Sequence, residues 1–216
     1  KGGAWNVGEV YIGSGGPMLL PDAGGTPAQQ QLVVGAGKEG RIYLLDRNNM
    51  GHFNSGSDSQ IVQSLTGQLV AVFGMPAYFQ NHIYFGPTSD KLKAYSISGA
   101  QISLPPVSAS KTFAYPGTVP SVSANGSSNG IVWALENGGS AVLHAYDALN
   151  IATELYNSGP TGGRDDPGPY VKFTVPTITN GKVYVGTGNS LTVYGLLASA
   201  KPAAVSVTPN SGRGGS

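Results

Sequence analysis

Four segments of this chain read alike and recur about every fifty residues. LVVGAGK begins at Leu32, IYFGPTS at Ile83, IVWALEN at Ile131 and VYVGTGN at Val183, so successive starts lie 51, 48 and 52 residues apart. Each is a short β-branched and aromatic run ending in a polar turn, which is usually Gly-containing. A second strand follows each turn: RIYLLDR from Arg41, KLKAYSI from Lys91, VLHAYDA from Val142 and LTVYGLL from Leu191. Ahead of each pair stands a proline, Pro17, Pro76, Pro120 and Pro176, opening PMLLP, PAYF, PSVSA and PTITN. Closing strands are expected over Gln60–Leu65, Leu104–Ser108 and Thr153–Asn157. Three or four short strands per fifty-residue period predict an all-β fold, a β-propeller of four-stranded antiparallel blades with about four blades present. The blades are expected near 17–65, 76–108, 120–157 and 176–197. A β-sandwich also spaces its strands every 8–12 residues, but has no reason to repeat the order proline, strand, turn, Tyr-bearing strand. No stretch of ten residues free of Gly and Pro carries a helical apolar period.

Composition narrows the function classes. The 216 residues include 33 Gly, 15 Pro and no Cys, with 11% charged and a net charge of +1. The lack of clustered Lys and Arg argues against a nucleic-acid footprint. No apolar run approaches the 18 residues that would mark a membrane-spanning helix. The missing cysteines exclude disulfides, thiolate catalysis and Cys-based zinc sites. Richness in Gly, Ser, Thr and Asn with few Lys and Glu fits an exported, extracellular or periplasmic bacterial protein.

Several segments break the period. Glu9–Ile12 reads as a lone strand, either the outer strand of a preceding blade or one that pairs with the last blade and closes a ring. Asp22–Gln31 reads as a surface insertion. Arg47–Gln60 is too long for a hairpin turn, and loops of that length are functional or mobile. Its His52 and Asp58 are two metal-ligand types without a third. Asn125-Gly-Ser127 is a glycosylation sequon in form and reads more simply as a turn. Asn157–Tyr170 carries the densest charge cluster, Arg164, Asp165 and Asp166. Adjacent Asp residues can ligate calcium when carbonyls join them; the simpler reading pairs Arg164 with one carboxylate. Residues 198–216 read as a Pro/Gly/Ser-rich linker or the start of an immunoglobulin-like module.

The phrases GPMLLPD, LVVGAGKEGRIYLLDRNNMGHF, SNGIVWAL, AVLHAYDA, KFTVPTITNGKVYVGT and LTVYGLL together resemble the C-terminal part of bacterial pyrroloquinoline-quinone-like (quinoprotein-like) β-propeller repeat proteins. The resemblance spans about Gly15–Leu197. It implies a secreted multi-blade protein, with further blades of a parent chain or a second copy as partners. In quinoprotein dehydrogenases of this type a Trp floor and a vicinal disulfide sandwich the quinone, while Glu, Asn and Asp hold calcium and an Asp serves as base. This chain has no Cys, and its tryptophans are Trp5 and Trp133. The Ala-x-Asp element that usually precedes a docking Trp survives as Ala145-Tyr146-Asp147, with Tyr156 where the Trp would stand. Leu45-Asp46 keeps the Asp; Ser96 and Gly195 replace it elsewhere.

In a propeller, one rim gathers the loops between blades and those joining second to third strands. Here that rim collects Lys38, Glu39, Asp90, Lys91, Tyr115, Glu136, Arg164, Asp165, Asp166 and Asn189 as candidate ligand-binding residues. No nucleophile elbow, zincin motif or acid–base pair accompanies them. Lys38-Glu39-Gly40 lies between strands, with no helix to seat a phosphate. The expected function is a non-catalytic binding or scaffold module needing no cofactor and no metal. Two alternatives are a fragment of a quinone- and calcium-dependent dehydrogenase, and a propeller binding a glycan or a peptide.

Overall fold

Each proline of the repeat stands one residue ahead of a first strand. Pro17 precedes β1 (Met18–Leu19), Pro76 β5 (Ala77–Phe79), Pro120 β10 (Ser121–Asn125) and Pro176 β14 (Thr177–Thr179) in a computed structural model that describes residues 14–53 and 55–196. At a strand entry the missing N–H of proline costs the ladder nothing, and its fixed φ delivers the chain already extended.

From these starts the chain forms four antiparallel sheets in sequence order. Blade 1 is β1, β2 (Leu32–Ala36), β3 (Ile42–Asp46) and β4 (Ile61–Leu65). Blade 2 is β5, β6 (His82–Phe85) and β7 (Asp90–Ser98), whose far edge carries both β8 (Gln101–Ile102) and β9 (Val107–Phe113). Blade 3 is β10, β11 (Ser128–Glu136), β12 (Val142–Asp147) and β13 (Asn150–Asn157). Blade 4 is β14, β15 (Lys182–Gly186) and β16 (Leu191–Tyr194), with no fourth strand among the described residues. First strands gather toward one axis: β10 lies beside both β5 and β14, and the Ser121 hydroxyl donates to the Pro176 carbonyl at 2.7 Å. This is the β-propeller arrangement.

Two strand expectations and one loop expectation need correcting. The outer strand of blade 2 is Val107–Phe113, not Leu104–Ser108, because Pro105 and Pro106 supply no N–H to a ladder and delay pairing with β7. The strand expected over LTVYGLL from Leu191 ends at Tyr194, before Gly195. The Asp22–Gln31 insertion is more than a surface loop. Its 3-10 turn at Asp22–Gly24 buries Gly24, and the Gly24 carbonyl accepts the Ala100 N–H of blade 2 at 2.8 Å. Glu9–Ile12 and residues 198–216 lie outside the described residues.

Tight turns set the registers. Gln80-Asn81 and Asn180-Gly181 take positive φ at both positions, the mirror-image turn whose twist matches antiparallel strands. Gly99-Ala100 does the same between β7 and β8.

The core lies between blades, not within them. Leu32, Val34, Ile42 and Leu44 of blade 1 pack against Ile83, Phe85, Tyr95 and Ile97 of blade 2. The other face of blade 2, with Phe79, Tyr84, Leu92 and Phe113, meets Val132, Tyr146 and Ile151 of blade 3. Leu135 and Leu143 of blade 3 then meet Val183 and Val185 of blade 4. Each large side chain buried this way contributes about 1.5–3 kcal/mol, more than the net value of one hydrogen bond. Period-two alternation sends neighbouring residues of one strand into different seams. It explains why β6 reads as an almost unbroken apolar run while β2 alternates buried and half-buried.

The Tyr of the repeated third strand has one place. Tyr95, Tyr146 and Tyr194 all face the preceding blade, and burial pushes each phenol up from its ordinary value. In blade 1 that position is Leu45, half-buried on the face that no described blade covers.

Candidate ligand-binding rim

The connections between blades run along one rim and are stitched by backbone hydrogen bonds to second-to-third-strand turns on either side. In the first, Leu69 and Val72 donate to Gly40 and Gly37 of blade 1, and Ala71 accepts from Thr88 of blade 2. In the second, Thr118 donates to Gly86 of blade 2 through its N–H and accepts Leu135 N–H of blade 3 on its hydroxyl. In the third, Gly168 accepts from Ala141 of blade 3, and Pro169 from Gly188 of blade 4. The approaches are close enough to require glycine at Gly40 and Gly86, where a Cβ would lie 2.1 Å from a carbonyl oxygen of the crossing segment.

On this fixed frame every connection raises one aromatic ring. Phe73, Tyr115 and Phe173 come from the first, second and third connections. Phe73 meets Tyr115 edge-on at 5.5 Å between centroids and Phe173 at 6.4 Å. Two cations border the group: Lys172 Nζ lies 4.9 Å from the Tyr115 centroid and Lys38 Nζ 5.9 Å from that of Phe73. Tyr115 and Phe173 remain 49% and 50% exposed, so the rings form a platform and not a core. Phe173 holds φ at 67°, a conformation that costs a bulky residue about 1–3 kcal/mol and clusters at binding sites. The Asn137 amide donates to the Tyr115 carbonyl at 2.6 Å and steadies that loop.

The other residues expected at this rim are placed as follows. Glu39 accepts from Arg41 at 3.0 Å and from the Tyr43 hydroxyl at 3.2 Å, beside Lys38. Asp90 pairs with Lys93 at 2.8 Å at the start of β7, with Lys91 exposed next to it. Glu136 turns into the seam between blades 2 and 3, bound to Lys111 at 2.7 Å and to His144 Nε2 at 2.9 Å. His144 itself is buried, with Nδ1 on Glu154 at 2.5 Å. Arg164 grips Asp165, which also accepts the Tyr156 hydroxyl at 2.8 Å. These donors, the guanidinium foremost, hold the Asp165 carboxyl below its usual range. Asp166 takes the Ser140 hydroxyl and the Gly168 N–H and is lowered for that reason. Asn189 sits exposed over Gly168. Lys38 and Tyr115 therefore belong to the platform, while Glu136, Asp165 and Asp166 are engaged in ties between neighbouring segments.

Sequence reasoning missed Phe73, Lys172 and Phe173. The legible signal was an aromatic residue in every inter-blade connection, the third carrying Tyr170 as well as Phe173, a rule that isolated residues do not display until the connections are aligned.

Trp133 is held in blade 3 with its indole N–H on the Ser123 hydroxyl at 2.8 Å, packed against the seam with blade 4. Among the described residues no three His, Asp or Glu side chains gather as metal ligands. His52 and Asp58 accordingly stand without a third.

Geometry of this kind defines a β-propeller, and solved structures agree at low sequence identity. The crystal structure of the computationally designed Ika8 protein is similar at a TM-score of 0.52 and 16% identity, over 76% of this chain and 43% of that one. The crystal structure of BamB from Moraxella catarrhalis is similar at a TM-score of 0.50 and 12% identity, over 87% of this chain and 47% of BamB. The chain spans less than half the length of either. No protein-family model matches the sequence, and no curated protein matches it.

Proposed function

We propose that this chain is a non-catalytic binding or scaffold module of an exported bacterial protein, and that its ligand meets the aromatic rim. The observation that carries this reading is the convergence of Phe73, Tyr115 and Phe173 from three successive connections, flanked by Lys38 and Lys172. Rings on a hydrogen-bonded frame lose little freedom on binding, and aromatic anchors dominate recognition surfaces. Two ammonium groups at the border favour an extended peptide that mixes apolar and acidic side chains.

Acidic–apolar and basic–apolar peptide arrays probed with the purified chain test the proposal. Preference for the acidic set, weakened about tenfold or more by Tyr115→Ala or Phe173→Gly, is the expected result. Equal binding by both variants would sink the rim. Dye-linked dehydrogenase activity recovered with added quinone and calcium would overturn the non-catalytic reading.

A completing partner follows from two faces. Val33, Tyr43 and Leu45 on blade 1, and Tyr184, Val193 and Leu191 on blade 4, repeat the positions that fill the internal seams yet stay half-covered or exposed. Such faces call for cover, which further blades of a longer chain or a second copy would supply. The native mass in solution distinguishes the two.

A further inference from the structure

Blade 1 departs from the other repeats at two places, and both lie at the rim opposite the aromatic platform. Its first-to-second-strand connection contains the Asp22–Gln31 insertion, where blades 2, 3 and 4 use the two-residue turns Gln80-Asn81, Gly126-Ser127 and Asn180-Gly181. Its third-to-fourth connection is the long Arg47–Gln60 loop, where blade 3 needs only Ala148-Leu149. Neither addition serves the platform.

The two additions meet each other and the Gly99-Ala100 turn of blade 2 around a cleft of about 400 Å³. Its polar lining is Gln29, Asn49, Ser59, Gln60, Gln63 and Gln101, and no lining side chain ionises. The walls are tied together. The Gln63 side-chain amide donates to the Ile102 carbonyl at 3.0 Å and accepts the Ile102 N–H at 2.7 Å, bridging blades 1 and 2. The bond from Ala100 N–H to the Gly24 carbonyl fastens the insertion to the same turn. Gln60 packs directly over Gly51, whose φ is 76° and where a Cβ would lie 2.3 Å from the Gln60 side chain.

We propose that this cleft binds a neutral carbohydrate of one or two sugar rings. Each primary amide presents a donor and an acceptor side by side, and each sugar hydroxyl is both donor and acceptor, so a row of amides matches a run of neighbouring hydroxyls. A lining without ionisable groups offers nothing to a carboxylate or phosphate. The volume falls at the small end of ligand sites, about 300–1,000 Å³. The tied walls make the cleft preformed.

Saturation-transfer NMR on the full chain decides the matter, using maltose, cellobiose, lactose and diacetylchitobiose as neutral probes and glucuronate as the charged one. The expected result is transfer to at least one neutral disaccharide and none to glucuronate. Gln60→Ala and Gln101→Ala should each weaken binding about three- to tenfold, as loss of one neutral hydrogen bond does. Asn49→Ala, at an exposed lining position, should weaken it as well, while Leu149→Ala in the corresponding turn of blade 3 leaves it unchanged. Absence of binding by all four neutral sugars, equal binding of glucuronate, or affinity that survives both Gln60→Ala and Gln101→Ala overturns the proposal.

Discussion

Between blades 2 and 3, Phe79, Tyr84, Leu92, Phe113, Val132 and Tyr146 pack face to face, while between blades 3 and 4 the apolar contact shrinks to Leu135, Ala141, Leu143, Val183 and Val185 with half-buried neighbours. The second seam is completed by the Asn157–Tyr170 loop. The Pro167 carbonyl there lies within reach of three hydroxyls from blade 4: Thr187 at 3.0 Å, Ser190 at 2.9 Å and Thr192 at 3.3 Å. Asp165 and Asp166 tie the same loop to Tyr156 and Ser140 of blade 3 and its turn, with Arg164 of the loop holding Asp165 in place. One repeat thus joins its blades in two ways, by buried carbon where the facing strands carry large side chains and by a hydrogen-bonded loop where they carry small ones. The two seams should therefore answer differently to mutation and to pH.

The largest expected difference comes from emptying the seams. Phe113→Ala removes a fully buried ring and should cost about 3–5 kcal/mol, whereas Val185→Ala removes less volume and should cost clearly less. Equal losses in denaturant unfolding would dissolve the contrast.

A smaller and sharper test uses the repeated Tyr. The Tyr194 hydroxyl donates to the Asp165 carbonyl at 2.8 Å, and the Tyr95 hydroxyl to Gln68 at 3.0 Å. The buried Tyr146 hydroxyl has no partner among the described residues. Tyr194→Phe should thus cost about 0.5–1.5 kcal/mol, while Tyr146→Phe at the equivalent position is neutral or stabilising. The same sign for both in thermal melts would remove the distinction.

The smallest effect is the pH dependence that Asp165 lends to the loop seam. The Asp165 carboxyl is held low in the folded chain, chiefly by Arg164, so its stabilisation is in place above the unfolded value of about 4 and is lost as pH falls through the folded one. Asp165→Asn should lower the melting temperature at neutral pH, with the gap closing in acid. A gap that persists unchanged to about pH 2 would show that the carboxylate charge contributes nothing there.

Much of the architecture was readable beforehand because it is written in local chemistry. Prolines at 17, 76, 120 and 176 mark strand entries, β-branched runs mark strands, and Gly or Asn marks turns of positive φ. The strand ends were less readable, as the shift from Leu104 to Val107 shows, since a ladder begins where a partner offers N–H groups. At the rim, Tyr115 and Lys38 were singled out for their place in the period. Glu136 was singled out on the same ground, yet it points into a seam, because spacing gives a residue's level along the blade and not the direction of its side chain.

By itself the sequence determined the number of repeats and their strand order, since periodicity and turn chemistry act within a few residues. Only the tertiary structure decided that Phe73, Tyr115 and Phe173 share one platform and that Gln29, Gln60 and Gln101 share one cleft. Those groups are drawn from segments tens of residues apart, and radial packing of the blades is what brings them together.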